Sequence, residues 1–383
     1  MLVLKSVKTK LLALYGDNQF GFRPSSSTLD AHLAIHDSVT RDLDITDIEG
    51  VAMIALDLSK AFDRLSHESL IHTLSKPTAG LPSTFLQWIQ DFLSDRSQRV
   101  SFQGAMSTSI TKVTSGVPQG SILAPYLFAS HMGSLAALSS TTKIIKYADD
   151  VTLLIPYNKN NDVSLIIADE IQNVRSWCKG HGLTLNEKKT KTLLFSKMTP
   201  SLQFTQCCQN INSEIKVLGV TFETSLKWNK HVADITKKAS RRICALKSLK
   251  RIPTVSRADL YQVYCNYILG ILEYNSPLFL GISSKNNEKM ERIRRRCHRI
   301  ICGIECQCNK FPSVRVRRED QAMKVFKRMM NSTNISHSLL PKRLPRTRHF
   351  QIEPMKTARR AKSFVPACAM KWNSFLSRTT NTT

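Results

Sequence analysis

The apolar positions of this 383-residue chain change their period several times. Val51 to Leu58 (VAMIALDL) is a short, nearly unbroken apolar run with an acid near its end, which suits a buried strand. From Leu81 to Arg96, Phe85, Trp88, Ile89, Phe92 and Leu93 fall on one helical face. Arg99 to Phe102 and Ile110 to Thr114 read as two strands joined through Gly104, and Ile122 to Leu138 as a buried helix. Lys143 to Ile155 (KIIKYADDVTLLI) has two β-rich halves with Asp149 and Asp150 between them, which predicts a hairpin with two carboxylates at its tip. Val163, Ile166, Ile167, Ile171, Val174, Trp177 and Cys178 then recur at helical spacing. Gly180 and Gly182 close that helix, as glycine past a C-terminus commonly does. Leu183 to Phe195 returns to strand character.

The order strand, helices, hairpin, helix, strand reads as an α+β domain with helices on one face of a mostly antiparallel sheet. From Trp228 onward, Val232, Ile235, Ala239, Ile243 and Leu246 mark a basic amphipathic helix. Beyond Pro253 the pattern is mainly helical, and from about Lys342 it is basic and interrupted by prolines. The longest apolar candidate, Leu260 to Ile282, contains Asn266, Glu273 and Asn275. It predicts a buried helix pair rather than a membrane span.

Charge changes this picture. The formal net charge is +26 and the pI about 9.9, which points to a polyanionic partner. Residues 1–240 hold 25 Lys and Arg against 21 Asp and Glu, whereas residues 241–383 hold 30 against 8. The first part is electrostatically ordinary and the second carries the imbalance. Ten cysteines in a chain of this length do not suggest a disulfide scaffold. Lys5, Lys8 and Lys10 interrupt the opening apolar stretch, so no secretory signal is expected. The expected compartment is reducing: nucleus or cytoplasm.

Three acids end apolar strands: Asp57, Asp149 and Asp150. A carboxylate there is costly unless something compensates it. A divalent cation would do so. Mg²⁺ prefers a few carboxylates plus waters and substrate phosphates. Two such ions roughly 3.5–4 Å apart can activate an attacking hydroxyl and stabilise a leaving oxygen in phosphoryl transfer. Read alone, each acid could equally just end its strand in a turn.

Six segments in order carry a resemblance: NQFGFRPSSST (18–28), ALDLSKAFDRLSH (55–67), SGVPQGSILAP (115–125), KYADD (146–150), GLTLNEKKTK (182–191) and VLGVTFETSLKWNKHV (217–232). Together they resemble the reverse transcriptases of non-LTR, LINE-type retrotransposons, closest to the jockey-like group. The likeness is strong over about residues 18–250 and weaker through LEYNSP, MERIRRRCHRII and SFVPACAMKWNSFL. It implies a right-hand polymerase whose palm and fingers hold an antiparallel sheet, followed by a mainly helical, basic thumb and C-terminal extension. The expected division is partial fingers and palm over 1–200, palm end and thumb start over 201–252, and thumb with extension over 253–383. The implied function is RNA-directed DNA polymerase, extending a primer 3′-OH with dNTPs on an RNA template. Its partners would be that template, a DNA primer and dNTPs, with no membrane; oligomeric state is left open. Nothing in residues 1–17 matches the YRPIS-like fingers stretch or the endonuclease domain that usually precede, so the chain is expected to begin partway into the fingers. The alternative is therefore an inactive remnant that only binds nucleic acid.

By the same resemblance, Asp57, Asp149 and Asp150 bind two Mg²⁺ ions, with Mn²⁺ as a substitute, and the Leu58 carbonyl contributes. Phe62 is the aromatic gate under the sugar that rejects a ribose 2′-OH. Gln119 lies against the incoming nucleotide and template. Lys189 either steadies the triphosphate or is merely solvated. Tyr147 faces the primer end or the core. Trp228 belongs to the primer grip or to a core, and Arg23 touches template or pairs locally. Asp63 and Pro118 are read as structural.

In the second part, Arg292, Arg294, Arg295, Arg296 and Arg299 cluster in one predicted helix. Such a surface binds phosphates salt-dependently and largely without sequence readout. Cys297, His298, Cys302, Cys306 and Cys308 invite a zinc reading, but their spacing departs from common zinc patterns, and no zinc is expected.

Overall fold

The structure is a computed structural model and describes residues 2–158, 163–196, 211–304 and 311–380. The chain divides into two compact units, residues 1–31 with 49–212, and residues 32–48 with 213–383.

The first unit contains helix α1 (Leu2–Ala13), the start of α2 (Thr28–Asp42), strand β1 (Gly50–Leu56), the short helix α3 (Ala61–Arg64), α4 (His67–Leu74) and α5 (Ser83–Leu93). Four short strands follow, β2 (Arg96–Gln98), β3 (Ser101–Phe102), β4 (Ala105–Met106) and β5 (Thr111–Val113). Next come α6 (Ala124–Met132), β6 (Lys143–Tyr147), β7 (Asp150–Tyr157), α7 (Val163–Gly180), β8 (Lys191–Ser196) and β9 (Ile211–Asn212).

Its main sheet has the order β6-β7-β1-β8-β9. β1 lies between two antiparallel neighbours, with Leu56 opposite Val151 on β7 and Gly50 opposite Ser196 on β8. Val51 to Ile54 are fully buried, which explains why their sequence is continuously apolar rather than alternating. The β8–β9 pair is parallel, the one such pair among the described strands of this sheet.

The segment read as two strands through Gly104 forms two nested antiparallel pairs, β2 with β5 and β3 with β4. Its apolar side chains Val100, Phe102, Met106 and Ile110 are exposed. α6 is shorter than the apolar run 122–138. Where it ends, the buried ammonium of Lys146 donates to Met132 O at 2.7 Å and, just beyond the helix, to Leu135 O at 2.9 Å. The 183–195 stretch is strand only from Lys191; before it, Lys189 N and Thr190 N bond back to Asn186 O in a turn.

The second unit begins with the later part of α2 and resumes at hairpin β10 (Glu214–Val217) and β11 (Val220–Glu223). α8 (Asn229–Lys250) follows, and its Val232, Ile235, Ala239, Ile243 and Leu246 are all buried, as their spacing predicts. α9 (Arg257–Val263) starts at a capping box made by Ser256 and Asp259. It runs on through a π-helical turn, Tyr264–Leu269, and the short helix Gly270–Glu273. The expected helix pair over 260–282 is thus one interrupted helical run and a 3₁₀ turn, Ser276–Phe279. Asn275, at φ 52°, breaks the path just before Pro277. α10 (Ser284–Cys302), α11 (Val314–Met329) and α12 (Phe364–Thr380) complete the unit.

Polar links seat α2 in this unit. His32 donates from Nε2 to Val217 O at 2.9 Å and accepts at Nδ1 from Asn275 Nδ2 at 2.9 Å. Buried Asp37 pairs with Arg360 at 2.6 Å and Arg41 at 2.8 Å. No helix among the described residues is long and apolar enough to cross a membrane.

Candidate active site

The three strand-end acids come from distant parts of the sequence and meet at one end of the first unit's sheet. The β1–β7 register ends with Leu56 opposite Val151, so the next position sets Asp57 opposite Asp150. Across the other edge of β7, Asp150 pairs with Tyr147, and Ala148 and Asp149 form the two-residue turn between them. Burial and this closeness both act on the carboxyls. Desolvation, and then the Asp149 and Asp57 charges, push the Asp150 carboxyl up to about 6. Asp149 is also raised, by desolvation and then by Asp57, with its own backbone amide opposing. Burial and neighbouring like charge both disfavour the ionised form of a carboxyl, and an opposite charge nearby favours it.

The donor set is all oxygen and suits a hard ion that keeps water and phosphate ligands. Among the described residues no three His, Cys, Asp or Glu side chains form a ready-made metal site. Lys189 faces one of the acids, its Nζ 3.6 Å from Asp57 Oδ2. Both side chains are solvent-accessible, so this pair contributes little to stability. Leu58 is buried and bridged to Leu185.

Phe62 is the second residue of α3, the short helix after β1. Its ring stacks on Phe128 at 3.9 Å between centroids and meets Phe22 edge-on at 6.0 Å. Its carbonyl accepts from Val117 N at 2.9 Å. Gly116 must be glycine here: φ is +82°, and an added Cβ would lie 2.6 Å from Phe62 O. The loop so held presents Gln119, exposed, with Nε2 donating to Asp63 Oδ1 at 2.7 Å. Ser115 Oγ donates to Asp63 O at 2.9 Å. Asp63 thus joins this loop to α3. A cleft of about 500 Å³ lies alongside, lined by Arg96, Gln98, Lys112 and Gln119.

Other candidates are placed differently. Arg23 bonds to Gln19 O at 3.1 Å and to Gly16 O, with its guanidinium over the Tyr15 ring, so its contacts are local. Tyr147 is half-buried at the end of β6. Trp228, in the second unit, is buried among His36, Phe222 and Phe279; that is a core position. On α10, Arg292 and Arg295 stand exposed and paired with Glu288, and Arg296 and Arg299 are exposed. Arg294 is turned inward, bonded to Glu291 at 2.6 Å and to Phe311 O at 2.9 Å. A groove of about 440 Å³ between α8 and α10 is lined by Lys237, Ser240, Lys289, Arg292 and Arg296. Cys297 is buried and its thiol is pushed up to about 12, chiefly by burial. Cys306 and Cys308 lie outside the described residues.

Two residues beside the acids escaped the sequence reading. Gln19 and Lys146 are both fully buried and both hold the hairpin that carries Asp149. Only a polar residue set inside the motif NQFGF, and a lysine inside the apolar run IIKYA, hinted at them.

The reverse transcriptase (RNA-dependent DNA polymerase) family profile matches residues 2–222, and the chain belongs to that family. Within it, the relatives are those of LINE-type elements. The chain is 28% identical over 302 residues to the probable RNA-directed DNA polymerase from transposon BS of Drosophila melanogaster, covering 74% of this chain and 32% of that protein. It is 25% identical over 289 residues to the RNA-directed DNA polymerase from mobile element jockey of the same organism, covering 72% and 30%. The chain therefore spans about a third of the length of these relatives. Among solved structures, a telomerase from Candida albicans in complex with a fragment of telomeric RNA aligns at 14% identity and a TM-score of 0.43, over 88% of this chain and 58% of that one.

Proposed function

We propose that this chain is the polymerase part of a LINE-type retrotransposon protein: an RNA-directed DNA polymerase that extends a primer 3′-OH with dNTPs on an RNA template. The observation that carries the reading is the meeting of Asp57, Asp149 and Asp150 at one sheet end, with the carboxyls of Asp149 and Asp150 raised by desolvation first and by the neighbouring acids second. The first unit takes the part of palm with fingers, and the second that of thumb and extension. Asp57, Asp149, Asp150 and the Leu58 carbonyl would hold two Mg²⁺ ions, which Mn²⁺ can replace. Bound there, the ions supply Lewis-acid activation of the primer hydroxyl and charge neutralisation at the leaving pyrophosphate.

The chain's own groups do the rest. Asp57 and Asp150, facing each other on paired strands, fix the spacing of the reacting oxygens, and Asp149 completes the set from the turn. Phe62, backed by Phe128, forms a rigid floor under the nucleotide sugar that leaves no room for a 2′-OH. Gln119, steered by Asp63, lies against the nascent base pair. Lys189 exchanges its contact with Asp57 for the triphosphate when the nucleotide arrives. Tyr147 borders the primer end. Arg292, Arg295, Arg296 and Arg299 bind the phosphodiester backbone, and cellular residence is nuclear or cytoplasmic.

The test is Asp149→Asn, assayed for Mg²⁺-dependent extension of oligo(dT) on poly(rA). Removing one preorganised charge from a phosphoryl-transfer site costs about 10²–10³-fold or more in rate, and the variant should fold normally by circular dichroism. If the unaltered chain binds the template–primer with no extension under any metal condition, the reading gives way to a non-catalytic nucleic-acid-binding protein.

A further inference from the structure

The turn that carries Asp149 is an unlikely one for its sequence. Ala148 sits at φ +56°, a left-handed conformation that strains a residue with a Cβ. Strain of this kind persists only where the surroundings over-determine it. Here they do so through Gln19, a side chain 129 positions away in sequence and fully buried. Its Oε1 accepts from Ala148 N at 3.0 Å and from Gly21 N at 2.9 Å, while its Nε2 donates to Ala148 O at 3.2 Å. Both backbone groups of the strained residue are thus held by one amide.

The backbone around Gln19 adds to the grip. Phe20 N donates to Lys146 O at 2.8 Å, and Lys146 N donates to Asn18 O at 2.7 Å. Lys146 is in turn tied by its ammonium to the end of α6. Gly21 lets the segment come this close: a Cβ there would lie 2.3 Å from Ala148 N, a contact with backbone that no rotamer can relieve.

We propose that Gln19 is a positioning residue for the metal-binding acids, its side-chain amide clamping both backbone groups of Ala148 so that Asp149 and Asp150 keep the spacing to Asp57 that the ions require. This rests on the polymerase reading of the acids. It assigns to the segment NQFGF the task of holding the hairpin from behind. A reacting geometry tolerates little slack, since a displacement of about 1 Å can cost 10²-fold in rate.

The experiment compares the unaltered chain with Gln19→Met, which keeps the side-chain length and removes every hydrogen bond. Gly21→Ala serves as a second variant, pushing on Ala148 from the same side. Three quantities are read: Mn²⁺ affinity from the free-ion EPR signal, kcat for primer extension at saturating dNTP, and melting temperature. The proposal expects Mn²⁺ affinity to fall at least 5-fold and kcat at least 10-fold in protein that is folded at the assay temperature. Mn²⁺ affinity and kcat equal to those of the unaltered chain overturn it. A lowered melting temperature with Mn²⁺ affinity unchanged in the folded protein also overturns it, because the role would then be merely structural. If the unaltered chain binds Mn²⁺ yet extends no primer, the polymerase reading fails by itself, and the clamp stands or falls on the Mn²⁺ affinities alone.

Discussion

The two units of this protein handle charge in opposite ways. The first, residues 1–31 with 49–212, has 19 Lys and Arg against 14 Asp and Glu; the second has 36 against 15. In the first unit the telling charges are acids brought to one sheet end, where burial first and one another second raise the carboxyls of Asp149 and Asp150. Among its described residues the deeply buried lysine is Lys146, whose ammonium bonds to carbonyls at and just past the end of α6. In the second unit the telling charges are cations spread along exposed helix faces, most densely on α10. Convergent acids concentrate a field for an ion and a reaction. Spread cations bind a long polyanion without reading its sequence. The proposed division of labour between the units rests on this contrast in charge.

Trp228→Ala removes a ring packed against His36, Phe222 and Phe279. It should destabilise that unit by about 3–5 kcal/mol, the usual cost of truncating a large buried aromatic. Differential scanning calorimetry should show this as a lowered transition. Weaker nucleic-acid binding without any loss of stability would instead return Trp228 to a surface role.

The next effect is acid lability. His36 is pulled down to about 4 by burial, with Asp37 opposing and Arg360 and Arg359 adding; His231 is pulled down to about 4 by burial, with His32 and Lys216 adding. The unfolded chain protonates these imidazoles near 6.5, so the unfolded state binds more protons between the two values. Their contribution to stability is full above pH 6.5 and is lost as pH falls toward 4. Melting temperatures across pH 4–8 should follow that course, and His231→Phe should shrink the drop.

A smaller change tests the first unit. Phe62→Ala should lower discrimination against ribonucleotides by roughly 10-fold, the scale on which a pocket of this kind rejects one group, while dNTP extension persists. Competing dTTP and UTP in one extension assay reads this directly. Unchanged discrimination would leave Phe62 as packing for Phe128 alone.

How much of this was legible in the sequence depends on whether a feature is local. The strand VAMIAL, the hairpin around Asp149 and Asp150, and the amphipathic helix beginning near Trp228 are written in nearby residues, and the structure holds each of them. The opposition of Asp57 and Asp150 needs a strand pairing across nearly a hundred residues, which no periodicity announces. The grouping of residues 32–48 with the second unit is hidden for the same reason, since His32 and Asp37 find their partners at Asn275 and Arg360. Gln19 was invisible as an anchor because its partners are backbone groups, which every residue has. Arg294 looked like its neighbours and is set apart only by the inward turn that pairs it with Glu291.

The division of labour is tested most directly by the salt dependence of template–primer affinity. The measurement compares the unaltered chain with a variant combining Arg292→Ser, Arg295→Ser, Arg296→Ser and Arg299→Ser. Each lost phosphate contact should flatten the slope of log K against log salt by about one unit, so the combined variant should lose about three to four units while keeping its Mn²⁺ affinity. An unchanged slope would show that the cations of α10 do not hold the nucleic acid, and would contradict the account.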